Sequence, residues 1–378
     1  MTDVSAAELV EEAAARAGPW PGAVPFLPTL ELLLDACRRT ARLNGTGRQV
    51  LHKAAVRHLR NLRHVQAYVE AHPETTTRPL DRPLVVTGLP RTGTTLLHNL
   101  LACDPAQRAM RFWEALHPVP PGDGGPPAEA LQAQAGRWLE AFYRLVPGFQ
   151  AIHGATPTGP EECDALLQNT FASQHFDDMF DARAYSAWLA RAPLAEEYRH
   201  YALQLRVLSR PGDRWALKSP SHLGHLDALL AALPGVTVAV CHRHPHQAVA
   251  SYASLVHTLR RAYSDEVSPA AVGRQALERA AIAVERALDV RAASDPAFVD
   301  IAYRELVADP LAAVRRIYAH RGEALTAEAE ARMRAWVAAN PQHKHGAHRY
   351  DLAGFGLVAS EVDAAFARYT ARFGPLAG

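Results

Sequence analysis

Apolar residues recur at three- and four-residue spacing through the first part of the chain, as in Leu30 to Leu34 and across Val50 to Glu70. That period predicts helices up to about Thr77, punctuated by Gly18, Pro19, Pro21, Gly22, Pro25 and Pro28. The pattern then changes. Leu84–Thr87, Arg214–Leu217, Val236–Cys241 and Phe298–Ile301 are short β-rich runs. A helical pattern follows each, at Thr94–Ala102, Ser221–Leu233, His246–Arg261 and Pro310–His320. Strand then helix, repeated, predicts an α/β fold with a parallel sheet covered by helices on both faces. In such sheets ligands bind beyond the carboxyl ends of the strands. Here those ends carry Gly88, Lys218, Arg243 and Tyr303, a set biased toward anions. A Pro/Gly loop over Pro118–Pro127 precedes a helical insertion over Ala128–Ala192 that holds Trp138, Phe142, Tyr143, Phe149, Phe171, Phe176, Phe180, Tyr185 and Trp188. The expected organisation is a helical N-terminal cap over residues 1–80 and one α/β domain over 81–378, with the insertion at about 128–192.

Composition narrows the function. The 378 residues are 48% apolar and 21% charged, which excludes disorder and coiled coil. Lys and Arg number 40 against 39 Asp and Glu, so long-range attraction to nucleic acid or anionic membrane is not the organising theme. Any anion site must be built locally. The four cysteines form no C-x-x-C pair, and a chain this long needs no disulfide staples. The acidic N-terminus does not read as a secretory signal, and no segment reaches the ~20 apolar residues of a spanning helix. A cytoplasmic protein is expected.

Gly88-Leu89-Pro90-Arg91-Thr92-Gly93-Thr94-Thr95 follows the first strand and opens the next helix. Backbone N–H groups at such a turn converge on one spot, and the helix dipole adds positive potential. Arg91 adds a full charge, and Thr94 and Thr95 add hydroxyl donors. Nucleoside-triphosphatase loops carry Lys directly after the second glycine. Here that position is Thr94, and no β-run ends in an Asp that could hold Mg²⁺. Both absences disfavour ATP or GTP chemistry. A second anion site is expected at Arg243, where the third strand ends, with Ser251 about two helical turns on.

The loop x-P-R-[ST]-G-T-T-L-L, followed by strand–x-R-x-P–helix with a serine eight after the arginine, resembles the phosphate-loop sulfotransferases that use 3′-phosphoadenosine 5′-phosphosulfate (PAPS). Trp215 to Leu223 and Tyr303-Arg304-Glu305-Leu306 before Asp309-Pro310 resemble the bacterial branch, and Lys218 resembles the lysine of tyrosylprotein sulfotransferases. The resemblance runs from about Pro83 to the C-terminus and implies a P-loop-type α/β fold. It implies that Arg91, Thr92, Gly93, Thr94 and Thr95 hold the 5′-phosphosulfate, and that Arg243 and Ser251 hold the 3′-phosphate. The basic run through Lys344 and Arg349 corresponds in position to a loop that closes over the 3′-phosphate. PAPS is the implied co-substrate, with no metal. His242, His244 and His246 alternate, but Pro245 breaks the strand and Arg243 would repel a cation. The acceptor is expected to be the hydroxyl of a small molecule, lipid or secondary metabolite, and the aromatic insertion suggests an apolar one.

Sulfuryl transfer asks the protein mainly for positioning and charge stabilisation. Lys218 is the expected cation for the leaving oxygen. For the base, Glu114 comes first and His98 second, with His222 a further histidine near Lys218. Glu161 and Glu162 follow a Gly-Pro turn and read as the opening charges of a helix. Two other readings remain: a phosphotransferase lacking the usual lysine, and an inactive nucleotide-binding module.

Overall fold

Leu84–Gly88 (β1), Ala216–Lys218 (β2), Thr237–His242 (β3) and Phe298–Ala302 (β4) form one sheet in the order β2-β1-β3-β4, with every neighbour parallel. The strands are buried almost throughout, which is why they read as apolar runs without a polar alternate. The computed structural model describes residues 4–122, 125–152, 154–294, 297–340 and 351–377.

Successive strand residues face opposite cores, as the pleat requires. Val85, Leu217, Val238 and Val240 enter a core shared with the N-terminal helices Ala6–Ala17, Leu27–Thr40 and Gly45–Ala71 through Leu9, Leu30, Leu33 and Leu59. Leu84, Val86, Ala239 and Ile301 face helices Thr94–Leu101, Pro310–His320 and Ala327–Ala339 through Leu97, Val314, Ile317 and Met333. Both sheet faces are therefore covered. Among the described residues no helix is long and apolar enough to cross a membrane.

Three local expectations shift. Arg214 and Trp215 lie outside β2, and Trp215 forms an isolated bridge with Arg108, whose N–H donates to the Arg214 carbonyl at 2.7 Å and whose carbonyl accepts from Ala216 at 2.9 Å. The helix expected from Ser221 opens as a 3₁₀ turn over Pro220–His225, and α-helix begins only at Leu226. The insertion has one long helix, Ala128–Leu145, then short turns at Ala165–Gln168, Gln174–Met179 and Arg183–Leu189. Its aromatic residues serve mainly as core. Phe171, Phe176, Phe180 and Tyr185 are fully buried, and Trp138 stacks on Phe142 with ring centres 5.3 Å apart.

β3 and β4 are tied by a polar cluster just below their carboxyl ends. Asp300 accepts from Arg291 at 2.6 and 2.9 Å and meets His242 Nε2 at 2.8 Å. Burial works against the Asp300 charge, but the hydrogen bonds from His242 and Arg291 outweigh it and hold the carboxyl well below its usual range. A depressed carboxyl contributes stability above its unfolded pKa of about 4, and that contribution fades as the pH falls through the native value. Asp300→Asn is therefore expected to cost about 1–2 kcal/mol in urea unfolding at pH 7, the scale of a charged hydrogen bond with one partly exposed partner. The gap to the parent protein should narrow below about pH 4. A gap independent of pH would show that the cluster acts by shape alone.

Candidate functional site

The carboxyl edge of the sheet carries, in spatial order, Lys218, Gly88, Arg243 and Tyr303. β1 ends in Gly88 (φ +144), where a Cβ would lie 2.4 Å from the Cys241 carbonyl oxygen of β3. The chain then turns through Arg91 (φ +71), a left-handed conformation unusual for a non-glycine residue, and Gly93 (φ +92). Such strain concentrates at ligand-holding turns. Thr92 is buried, and its hydroxyl donates to the Leu89 carbonyl at 2.7 Å, so it fastens the loop from inside. Helix Thr94–Leu101 starts directly after Gly93, and no side chain caps it. Its first N–H groups have no acceptor within the helix. Thr95 is exposed beside them and Thr94 is buried.

Arg91 and Arg243 are joined in the loop that precedes this helix. Arg91 Nε donates to Ser251 Oγ at 3.3 Å, and Arg243 Nη1 donates to the Arg91 carbonyl at 2.8 Å. The Arg243 guanidinium lies 4.3 Å from the Tyr303 ring centre, a cation–π contact, and its Nε donates to Gln247 at 3.0 Å. The two anion-binding elements expected separately from the sequence thus touch. The donor set of uncapped amides, threonine hydroxyl, serine hydroxyl and two guanidiniums fits a ligand with two anionic groups.

Lys218 ends β2, one strand from the loop. Its side chain is only 2% exposed, and its Nζ meets Glu162 Oε1 at 2.5 Å. Glu162 does not open a helix, as the Gly-Pro turn before it suggests. It lies in an extended strap, where the Phe112 N–H donates to Gly159, the Glu161 N–H donates to Met110 and the Cys163 N–H donates to the Lys218 carbonyl. That strap carries the carboxylate onto the lysine across 56 residues of sequence.

The Sulfotransferase family model matches residues 83–327. The chain belongs to the sulfotransferase family. The sulfotransferase STF1 from Mycobacterium tuberculosis is 30% identical with a TM-score of 0.84, and the match covers 97% of this chain and 99% of that one. The sulfotransferase STF9 from Mycobacterium avium is also 30% identical with a TM-score of 0.86, covering 99% of this chain and 98% of its own. The likeness therefore extends over the N-terminal helices and the insertion, beyond the span that the sequence motifs reach. No curated relative matches the chain.

The other expected site residues of this sulfotransferase fall differently. His98 is buried, with Nε2 3.1 Å from the Ala216 carbonyl, and burial followed by the Lys218 charge pushes its pKa down to about 3. A proton acceptor needs more exposure and more basicity than that, so His98 reads as a buried brace between helix and β2. Both Glu114 oxygens are engaged, one with Arg108 Nη2 at 2.6 Å and one with the Arg111 N–H at 2.8 Å. His222 is enclosed between Tyr198 Oη and Cys163 Sγ, and burial holds it near 3. Lys344 and Arg349 lie outside the described residues. His242 is committed to Asp300 and His246 meets Asp363 at 2.7 Å, so the alternating histidines diverge. Among the described residues no group of three or more His, Cys, Asp or Glu is arranged to hold a metal. The residue that the sequence undervalued is Glu162, which the Gly-Pro turn before it marks only as an opening charge of a helix.

Proposed function

We propose that this sulfotransferase takes its sulfuryl group from PAPS and passes it to the hydroxyl of a small, largely apolar acceptor. One observation supports this most: an uncapped helix start, Arg91, Arg243 with Ser251, and Lys218 line up along one sheet edge. When bound, PAPS supplies the sulfuryl group and a nucleotide bisphosphate that leaves. The loop amides, Arg91, Thr94 and Thr95 hold the anionic end of the donor, and Arg243 with Ser251 reads the 3′-phosphate. Lys218 stabilises negative charge on the leaving side, and Glu162 holds its ammonium in position. Positioning and charge stabilisation are what this chemistry mainly requires.

Adenosine 3′,5′-bisphosphate is the direct probe. It should raise the melting temperature in a concentration-dependent way, because only the native state binds it. ATP, without a 3′-phosphate, should shift it much less. Equal shifts would overturn the assignment of Arg243 and Ser251 to the 3′-phosphate. Mg²⁺-dependent turnover with ATP in place of the sulfated donor would favour the phosphotransferase reading.

A further inference from the structure

A cleft adjoins the carboxyl edge of the sheet. Leu89 and Pro90 of the loop line it, as does Ser221, three residues beyond Lys218, so it borders both strand ends assigned to transfer. The atom-free space there is about 690 Å³, with the open solvent at its mouth included. Leu167, Leu189, Leu194 and Leu223 give it aliphatic walls. None of the insertion aromatics named above lines it.

A buried carboxyl group, Asp164, is set among those walls. Asp164 is 4% exposed, and its Oδ2 accepts from the Ser173 hydroxyl. Its Oδ1 is buried without a hydrogen-bond partner. Burial lifts the carboxyl to about 7, while the Ser173 and Ser221 hydroxyls oppose the rise. Arg279, the cation of the cleft, is committed to Asp177 and Asp178. An acceptor oxygen left unmatched in the interior is costly, and a ligand donor would cancel that cost.

We infer that this cleft seats the acceptor, and that the acceptor joins an aliphatic body to a second hydrogen-bond-donating group, a hydroxyl or an amine, that binds Asp164 Oδ1 while its reacting hydroxyl lies toward Pro90 and Ser221. The reacting end of this inference rests on the sulfuryl-transfer reading above; the Asp164 end does not.

The probes are straight-chain primary alcohols of four to ten carbons, each compared with the α,ω-diol and the ω-amino alcohol of the same length. Transfer of labelled sulfuryl group from PAPS gives kcat/KM for each. At the chain lengths that span the cleft, a bifunctional probe should exceed its plain alcohol by tenfold or more, the effect of a hydrogen bond to a charged group. The diol arm and the amine arm then tell which donor Asp164 takes. In Asp164→Asn the ratio should fall to within about twofold, the amine arm losing most, because a neutral amide pairs weakly with an ammonium. Equal rates for plain and bifunctional probes at every length, or a ratio that survives in Asp164→Asn, would overturn the inference. The bisphosphate melting shift reports separately that the variant is folded and that the donor reading stands. Should Asp164→Asn not fold, Ala190→Trp on the cleft wall takes its place. It should raise acceptor KM at least tenfold with donor KM unchanged, and an unchanged acceptor KM would remove the acceptor from the cleft.

Discussion

Lys218→Ala is expected to lower kcat on the order of 10²–10³-fold, the loss seen when one preorganised charge-stabilising donor is removed. Charge on the leaving oxygen grows only toward the transition state, so the ammonium's contribution should appear in kcat more than in donor KM. The surroundings sharpen the expectation. Lys218 is nearly inaccessible and fixed by Glu162 at 2.5 Å, so its charge is aimed before substrate arrives. Removing it also leaves Glu162 facing the site without its partner, which adds repulsion toward an anionic donor. Lys218→Gln, which keeps much of the volume, separates lost charge from lost packing and should be almost as slow. Lys218→Arg should recover only part of the rate, because a planar guanidinium cannot fill an ammonium's place between strand end and strap. Steady-state kinetics with saturating donor would check this. A near-normal kcat in Lys218→Ala would return leaving-group stabilisation to Arg91 and the helix start.

Arg243→Ala is expected to raise donor KM by about ten- to more than a hundredfold, the equivalent of ~1.5–3 kcal/mol for a charge-assisted hydrogen bond. It should also erase discrimination between PAPS and adenosine 5′-phosphosulfate. Arg243 does more than face solvent: it lies on Tyr303 and donates to the Arg91 carbonyl, so it links the 3′-phosphate position to the phosphosulfate loop. Arg243→Lys should therefore rescue poorly, since lysine lacks the flat face and the fork that make both contacts. Competition of the two donors in one assay would measure the preference. A preference for PAPS that persists in Arg243→Ala would pass the 3′-phosphate to another group, with the Lys344 run the first to test.

Much of this molecule is local in origin and so was legible from the chain alone. Four buried strands announce themselves as short apolar runs, and the helix after each by its period, because pleat and helical repeat act over a few residues. The loop from Gly88 to Thr95 is contiguous, and the eight-residue interval from Arg243 to Ser251 spans about two helical turns. Those spacings fixed the family and the parallel α/β architecture that the fold and the mycobacterial relatives share.

Contacts between distant segments obey no such period, and only the tertiary structure decided them. Whether Glu114, His98 or Glu162 reaches Lys218 depends on how the strap over Gly159–Cys163 crosses the strand ends, and on which carboxylate is already spent on an arginine. Whether the insertion's aromatics line a pocket or fill a core depends on the helices packed against them, and they fill the core. Asp164 reads in the sequence as one acid among many. Folding removes it from water, gives one of its oxygens a partner and leaves the other without one beside an aliphatic cleft. Composition and spacing specify which chemical groups the chain owns, while burial and pairing set their charge, reach and use, and those come into being only when residues far apart in sequence exclude water from one another.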